Sequence, residues 1–373
     1  MLKLKKILVV FGTRPEAIKM APLVEGFLNE VDFETKVCVT AQHREMLDQV
    51  ITFFNIKVDY DLNIMKPNQT LHQLTADLIA NITNEILSKE SFDYVFVQGD
   101  TTTVLAGSLA AFYQKIKVIH IEAGLRSGNM HSPFPEEANR VLTSKLAEFH
   151  FCPTENSKQN LISENISKNV YVVGNTVIDA LFLGLEKVKL TNQELLFKKF
   201  ESINFEKKII LVTCHRRENF GKPFEEICSA IMEIALNNKN IEIVFPVHLN
   251  PNIQKNAKLF LTAKNIKLID PLDYPDLIWM MNKSYFILTD SGGIQEEAPS
   301  LGKPVLVLRE VTERTEGVVA GTAILVGSSK EKIVFEASKL LNNDFYYQSF
   351  SKASNPYGDG KTCEKIKTIL SQC

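Results

Sequence analysis

Apolar positions in this chain fall into short, nearly unbroken runs separated by longer stretches with helical spacing. In the first half the runs predict strands at Lys6–Phe11, Thr35–Thr40, Tyr94–Gln98, Val118–Ile121 and Phe149–Cys152. In the second half they predict strands at Lys208–Thr213, Ile241–Val247, Ile266–Ile269, Tyr285–Thr289 and Pro304–Leu308. Amphipathic stretches lie between them, including Ala17–Phe27, Thr75–Ser88, Thr102–Tyr113, Phe224–Leu236, Tyr274–Met281, Ile294–Leu301 and Glu331–Leu341. Strands that are apolar throughout, each followed by a helix, indicate parallel sheets buried on both faces.

The alternation runs twice, so the expected fold class is α/β with two Rossmann-like, doubly wound domains facing a central cleft. The expected boundaries are residues 1–173 for the first domain, 174–207 for a helical crossover, 208–354 for the second domain and 355–373 for a last segment. The breaker cluster Asn355-Pro356-Tyr357-Gly358-Asp359-Gly360 opens that segment, and a helix near Lys361–Leu370 follows. In such folds ligands meet the carboxyl ends of the strands, so the residues just after each strand carry the candidate chemistry.

Composition narrows the classes. The chain has 373 residues, 42 Lys+Arg against 44 Asp+Glu and a formal net charge of −2, which argues against a nucleic-acid binder with a strong basic field. An apolar fraction of 45% with 23% charged residues suits a globular protein and not a disordered one. No run of about 18 uncharged apolar residues is present, so no membrane insertion is expected. The opening MLKLKKILVVFGTRPE reads as a first strand, because its apolar run is short and soon meets Arg14 and Glu16. The scattered Cys38, Cys152, Cys214, Cys228, Cys363 and Cys373 fit reduced thiols in a cytoplasmic protein.

At the first strand end, Gly12-Thr13-Arg14-Pro15-Glu16 fits a capped helix start, with Thr13 and Glu16 as a capping box. Arg14 and Lys19 there suit an anion, although a solvated arginine on a well-capped helix explains the same letters equally well. Asp100 follows the strand Tyr94–Gln98, where an N-cap is the commonest role. Glu122 ends a buried strand, and Glu136 opens an acidic helix start that also suits the helix dipole. Together Asp100, Glu122 and Glu136 gather carboxylates at one domain's strand ends, as proton transfer requires.

In the second half, His215 with two arginines behind it ends a strand. Thr289-Asp290-Ser291-Gly292-Gly293 leads into a helix, so Ser291, Gly292 and Gly293 can offer backbone N–H groups to a phosphate. Glu297, one turn on, suits vicinal ribose hydroxyls, and Arg314 is a further cation. His248 and Gln42-His43 stand at further strand ends, and the remaining His72, His120, His131 and His150 read as structural. There is no G-x-G-x-x-G, no Walker-type loop, no G-x-S-x-G elbow and no zinc-ligand spacing, so no cofactor and no metal are expected.

These motifs resemble a known family, the non-hydrolysing UDP-N-acetylglucosamine 2-epimerases. The resemblance runs through FGTRPEAIKMAPL, TAQHREMLDQV, GDTTTVLAGSLAAFY, HIEAGLRSG, PFPEEANR, GNTVIDAL, HRREN, PVHLNPN, TDSGGIQEEAPSLGKPVLVLR and NPYGDG. It implies a fold like that of the GT-B glycosyltransferases, with the last helix returning to the first domain. It implies interconversion of UDP-GlcNAc and UDP-ManNAc without NAD or metal, by elimination and re-addition of UDP through 2-acetamidoglucal, feeding cell-surface polysaccharides. It implies a homodimer.

By the same resemblance Arg14, Lys19, Asp100, Glu122, Glu136 and His215 match active-site motifs. Ser291, Gly292, Gly293, Glu297 and Arg314 match UDP-binding motifs, and Leu272 and Leu277 fall where the family lines its uracil pocket. Gln42, Glu45, Arg216 and His248 match a region where many bacterial members bind a second UDP-GlcNAc as activator. Thr315 stands where many members have Pro, Cys214 where others have Gly or Ala, and Glu45 where some have Gln. A hydrolysing epimerase, an epimerase of a 2,3-diacetamido uronate, a GT-B transferase and a sugar-nucleotide sensor are the alternatives.

Overall fold

A computed structural model describes residues 4–373 apart from 42, 43, 67 and 249, together with all side chains in that range except those of 217 and 252. Gln42 therefore lies outside the described residues. The chain divides into two units, one formed by Met1–Leu183 with Tyr357–Cys373 and one by Gly184–Pro356.

The first unit is built on a seven-stranded parallel sheet. Its strands are β1 (Lys5–Phe11), β2 (Phe33–Val39), β3 (Tyr60–Asp61), β4 (Tyr94–Gln98), β5 (Lys117–Ile121), β6 (Phe149–Cys152) and β7 (Val170–Val172), in the order β3-β2-β1-β4-β5-β6-β7. The second unit carries a six-stranded parallel sheet of β8 (Lys208–Thr213), β9 (Ile241–Pro246), β10 (Ile266–Ile269), β11 (Phe286–Thr289), β12 (Val305–Val307) and β13 (Ala323–Leu325), in the order β10-β9-β8-β11-β12-β13. The two doubly wound α/β units expected from the hydrophobic pattern are present.

The central strands are buried because helices cover both faces. Leu8, Val10, Val95, Val97 and Val118 pack with Val104, Ala110 and Ala111 of the helix Thr102–Tyr113 in one core of the first unit. Ile210, Val212, Ile243, Phe245, Phe286 and Leu288 pack with Phe224, Ile227 and Ile231 in the second. The short strands β3, β7 and β13 carry no run of buried apolar residues, and each lies at a sheet edge, where one side has no strand to cover.

Two helices differ in detail from the expectation. The stretch read as Thr75–Ser88 begins earlier, at Leu71 behind a Thr70/Gln73 capping box, and passes at Ile82–Leu87 into a wider π-type turn. The stretch read as Ile294–Leu301 is an α-helix Gly292–Glu297 followed by a tighter turn at Ala298–Leu301, where Pro299 removes an N–H donor.

The strand orders decide where chemistry can sit. In the first sheet the order reverses between β1 and β4, and in the second between β8 and β11. At such a switch point the loops leaving neighbouring strands diverge and open a crevice at the carboxyl ends. The four loops concerned carry Arg14, Asp100, His215 and Ser291–Gly293.

Candidate active site

At the first switch point, β1 runs through Gly12 into the helix Arg14–Leu28, and the expected capping box between Thr13 and Glu16 is formed. The Glu16 carboxylate also accepts hydrogen bonds from Gly12 N–H at 3.1 Å and the Thr101 hydroxyl at 2.7 Å, tying the loop after β1 to the loop after β4. Burial pushes the Glu16 carboxyl above its ordinary value, against these hydrogen bonds. Arg14 is half-buried beside this cap and has no ion-pair partner among the described residues.

One turn into that helix, Lys19 reaches Glu122. Its Nζ lies 2.6 and 2.7 Å from the two carboxylate oxygens. Glu122 follows β5 directly and is buried. It also accepts from the Gln98 amide and, at 3.0 Å, from Asn175 Nδ2. Gly99 has φ +81°, and a Cβ there would lie 3.7 Å from Glu122 Oε2. The adjoining turn is further fixed by His120 on β5, whose Nε2 lies 2.8 Å from the Gly99 carbonyl. Burial lowers the His120 pKa to about 3, so it stays neutral, in keeping with a structural role.

Asp100 sits in that turn. Arg140 Nε and Nη2 donate to its Oδ2 at 2.9 and 2.6 Å, and Asn139 Nδ2 donates to its backbone carbonyl at 2.8 Å. Burial raises the Asp100 carboxyl above its ordinary value; Arg140 opposes this, and the Glu122 charge adds to it. Arg140 also pairs with Glu137 at 2.9 Å. The helix that supplies Asn139 and Arg140 begins at Glu136. Glu136 Oε2 is buried without a hydrogen-bond partner among the described residues.

At the second switch point, Thr213 and Thr289 are register partners and their hydroxyls lie 2.6 Å apart. The fully buried Asp290 organises the loop after β8. Its Oδ2 accepts from His215 N–H at 2.9 Å, Arg216 N–H at 2.8 Å and Asn219 Nδ2 at 3.0 Å. Its Oδ1 lies 3.3 Å from His215 Nδ1, which turns the other ring nitrogen, Nε2, away from Asp290. The His215 ring stacks on His248 at 6.1 Å between centroids. His248 Nδ1 accepts from Asn250 N–H at 3.1 Å.

Ser291 is the N-cap of the helix Gly292–Glu297, and its side chain makes no capping bond. A Cβ at Gly292 would lie 3.4 Å from the Arg314 guanidinium, so the missing side chain lets Arg314 lie against the helix start. Arg314 Nε is held by the buried Glu296 at 2.8 Å. Glu297 is buried near the Tyr274 hydroxyl; burial, with the Glu297 charge second, pushes that hydroxyl's pKa well up. Leu272 and Leu277 are half-buried on either side of Tyr274.

The structure thus joins Lys19 to Glu122 and places Asp100 beside them electrostatically. It joins His215 to His248, and Arg314 to Gly292. Glu45 is exposed on the helix Arg44–Phe54 in the first unit, while Arg216 is half-buried behind His215 in the second. Reading the sequence did not single out Gln98, Asn175, Arg140, Asp290 or Glu296. Asp290 carried a usable signal: like Glu122, it is an acid at the end of a fully apolar strand. Asn175 lies in the GNTVIDAL motif, but nothing in that motif points to a partner 53 positions away. Among the described residues no group of three or more His, Cys, Asp or Glu is arranged to hold a metal ion.

The chain is similar to known proteins over nearly its whole length. The sequence model of one family, described as UDP-N-acetylglucosamine 2-epimerase, matches residues 27–371. The chain is 56% identical to UDP-N-acetylglucosamine 2-epimerase of Salmonella typhimurium, over 98% of each chain. It is 55% identical to the Escherichia coli K12 protein of the same name, again over 98% of each. A crystal structure of the UDP-GlcNAc 2-epimerase from Neisseria meningitidis bound to UDP-GlcNAc superposes with a TM-score of 0.89 at 52% identity, covering 99% of this chain and 100% of that one. The alternation of strands and helices, the two switch points and this similarity over the whole length place the chain in the UDP-N-acetylglucosamine 2-epimerase family.

Proposed function

We propose that this protein interconverts UDP-N-acetylglucosamine and UDP-N-acetylmannosamine without hydrolysing them, by eliminating UDP to leave 2-acetamidoglucal and adding it back. The observation that carries this reading is the division of labour between the switch points. One gathers buried carboxylates around Lys19 and Arg140; the other offers an anion-receptive helix start beside Arg314 and His215.

The hydrogen on C2 is weakly acidic, because C2 bears an acetamido group and not a carbonyl. Its removal therefore needs a departing group on C1. A carboxylate takes the C2 proton, the C–H electron pair becomes the C1–C2 double bond, and the C1–O pair leaves with UDP. In the return step the UDP oxygen re-forms its bond to C1, and C2 receives a proton on the opposite face. Asp100, Glu122 and Glu136 serve the two faces of C2. Asp100 suits a proton carrier because burial favours its protonated form.

Arg14, His215 and the N–H groups of Ser291–Gly293 offset the charge that grows on the leaving diphosphate. Arg314 holds it as well, Glu297 receives the ribose hydroxyls, and Leu272 and Leu277 flank the uracil. Lys19 keeps Glu122 in place. Glu45, Arg216 and His248 belong to a second UDP-GlcNAc site that activates the enzyme. No NAD or metal takes part, so activity persists in EDTA. The protein acts as a homodimer in the cytoplasm and supplies cell-surface polysaccharide synthesis. Its six thiols are unpaired, as a reducing compartment requires, and no described helix is long and apolar enough to cross a membrane.

Incubation with UDP-GlcNAc alone, followed by NMR, tests the reading. UDP-ManNAc is the expected product; free ManNAc with UDP would instead indicate hydrolysis. Substrate carrying oxygen-18 in the C1–O bridge tests the mechanism. The label should scramble into non-bridging diphosphate oxygens while C2 takes up solvent deuterium. Deuterium at C2 with the label held in place, under conditions where the diphosphate can rotate, would exclude elimination.

A further inference from the structure

Glu122 occupies an unusual backbone position. Its φ is +62°, in the left-handed region, although it has a full side chain and follows a buried strand. That conformation costs on the order of 1 kcal/mol and persists where the surroundings over-determine it. Lys19 from the first helix and Gln98 from the end of β4 hold the carboxylate. Asn175 holds it from the far end of the sheet, past β7.

The Asn175 amide cannot turn over freely. Its Oδ1 accepts from Val177 N–H at 3.1 Å, so its NH2 group faces Glu122 Oε1 at 3.0 Å. The residue is buried, and its own backbone N–H donates to the Tyr357 carbonyl at 2.7 Å. That bond exists because two glycines lie against each other. A Cβ on Gly174, φ +99°, would meet Thr362 Oγ1 at 2.9 Å and Gly358 Cα at 3.3 Å. Beyond Gly358 the helix Thr362–Ser371 docks on the same unit, with Cys363 N–H donating to Asp179 at 2.8 Å and Lys367 pairing with Glu30 at 2.6 Å.

We infer that Asn175, seated by Tyr357 and Gly358, is a positioning residue for the Glu122 carboxylate, so that the C-terminal segment acts on the site through it. The inference rests on the proposed role of Glu122 in proton transfer. Asn175 touches no reacting atom. It presents an N–H donor that favours the ionised carboxylate and fixes which oxygen points away.

Among the described residues, the charged and titratable groups facing Glu122 include Lys19 from the first helix, Asp100 from the turn after β4 and His120 on β5, the strand that Glu122 follows. Asn175→Asp adds a carboxylate of the same shape to this set. Titration of the carbon-13-labelled Glu122 carboxyl, assigned with Glu122→Gln, should then move upward by about one pH unit or more. Asn175→Ala removes the donor without adding charge and should move it the same way by less. With UDP-GlcNAc, both variants should lower kcat about tenfold or more at neutral pH while KM changes less than about threefold, and the acid limb of the kcat profile should move up.

Thermal melting checks that each variant is folded, and Asn175→Ala decides the matter if Asn175→Asp does not fold. A carboxyl titration unmoved in the folded variants, with kcat falling only as the folded fraction falls, would overturn the inference. A wild-type protein that leaves UDP-GlcNAc unchanged overturns the functional reading instead. The carboxyl titration needs no substrate, so it still decides the role of Asn175.

Discussion

Arg140 directs two hydrogen bonds, from Nε at 2.9 Å and Nη2 at 2.6 Å, onto the same oxygen of Asp100. The fork neutralises one oxygen and leaves Oδ1 outside the pair. Its effect on ionisation has a definite sign, because Arg140 lowers a carboxyl that burial raises. Removing the cation in Arg140→Met should therefore lift the Asp100 pKa further. If Asp100 acts as a base, the acid limb of the kcat profile should shift to higher pH. Arg140→Lys retains a charge but not the fork, and should shift the limb less while still lowering kcat. Profiles that overlay the wild type would remove Asp100 from the proton-transfer set.

Asp100→Asn, Glu122→Gln and Glu136→Gln each keep side-chain shape while removing the proton acceptor. Each should reduce kcat by about two to four orders of magnitude, the usual contribution of general acid–base catalysis. Solvent deuterium incorporation at C2, measured by NMR with the thermal melt as a control for folding, separates a chemical role from a structural one. A variant with near-normal exchange is not catalytic.

His120 provides a test of stability against pH. Its pKa is about 3 in the folded chain against an ordinary 6.5, chiefly from burial. Between those values the unfolded chain binds a proton that the folded chain does not. Stability therefore falls as pH drops from about 6.5 towards 3, with a slope of about 1.4 kcal/mol per pH unit for one group. His150, also lowered by burial, acts in the same direction. Urea midpoints of His120→Gln should show a shallower acid slope than wild type; equal slopes would show that His120 is not the neutral buried group.

The Arg314–Gly292 contact predicts a binding effect. Gly292→Ala places a methyl group 3.4 Å from the guanidinium, at the near edge of van der Waals contact, and fills the space between Arg314 and the helix start. Calorimetric titration with UDP should show weaker binding by roughly three- to tenfold for Gly292→Ala, and a larger loss for Arg314→Ala, where a charge-assisted contact of about 1.5–3 kcal/mol disappears. Unchanged UDP affinity in both would move the diphosphate away from this helix start.

Much of the fold was legible in the sequence. The central strands announce themselves because burial on both faces requires an unbroken apolar run, as in Val95-Phe96-Val97. Edge strands such as Val170–Val172 did not, since half-exposed positions relax that requirement. The capping box at Thr13 and Glu16 was readable because it depends on residues three apart.

The sequence by itself determined which residue types end each strand, and so placed Asp100 and Glu122 in one half and the Gly292-Gly293 helix start in the other. Only the tertiary structure decided which groups meet. Lys19 lies 103 positions from Glu122, and their contact depends on the strand order that sets β1 beside β4 and β4 beside β5. Asn175 reaches Glu122, and Tyr357 seats Asn175, by the same kind of long-range closure. Local pattern reports burial and backbone preference over a few residues. The partner of a buried charge is chosen by the packing of distant segments, which no local pattern encodes.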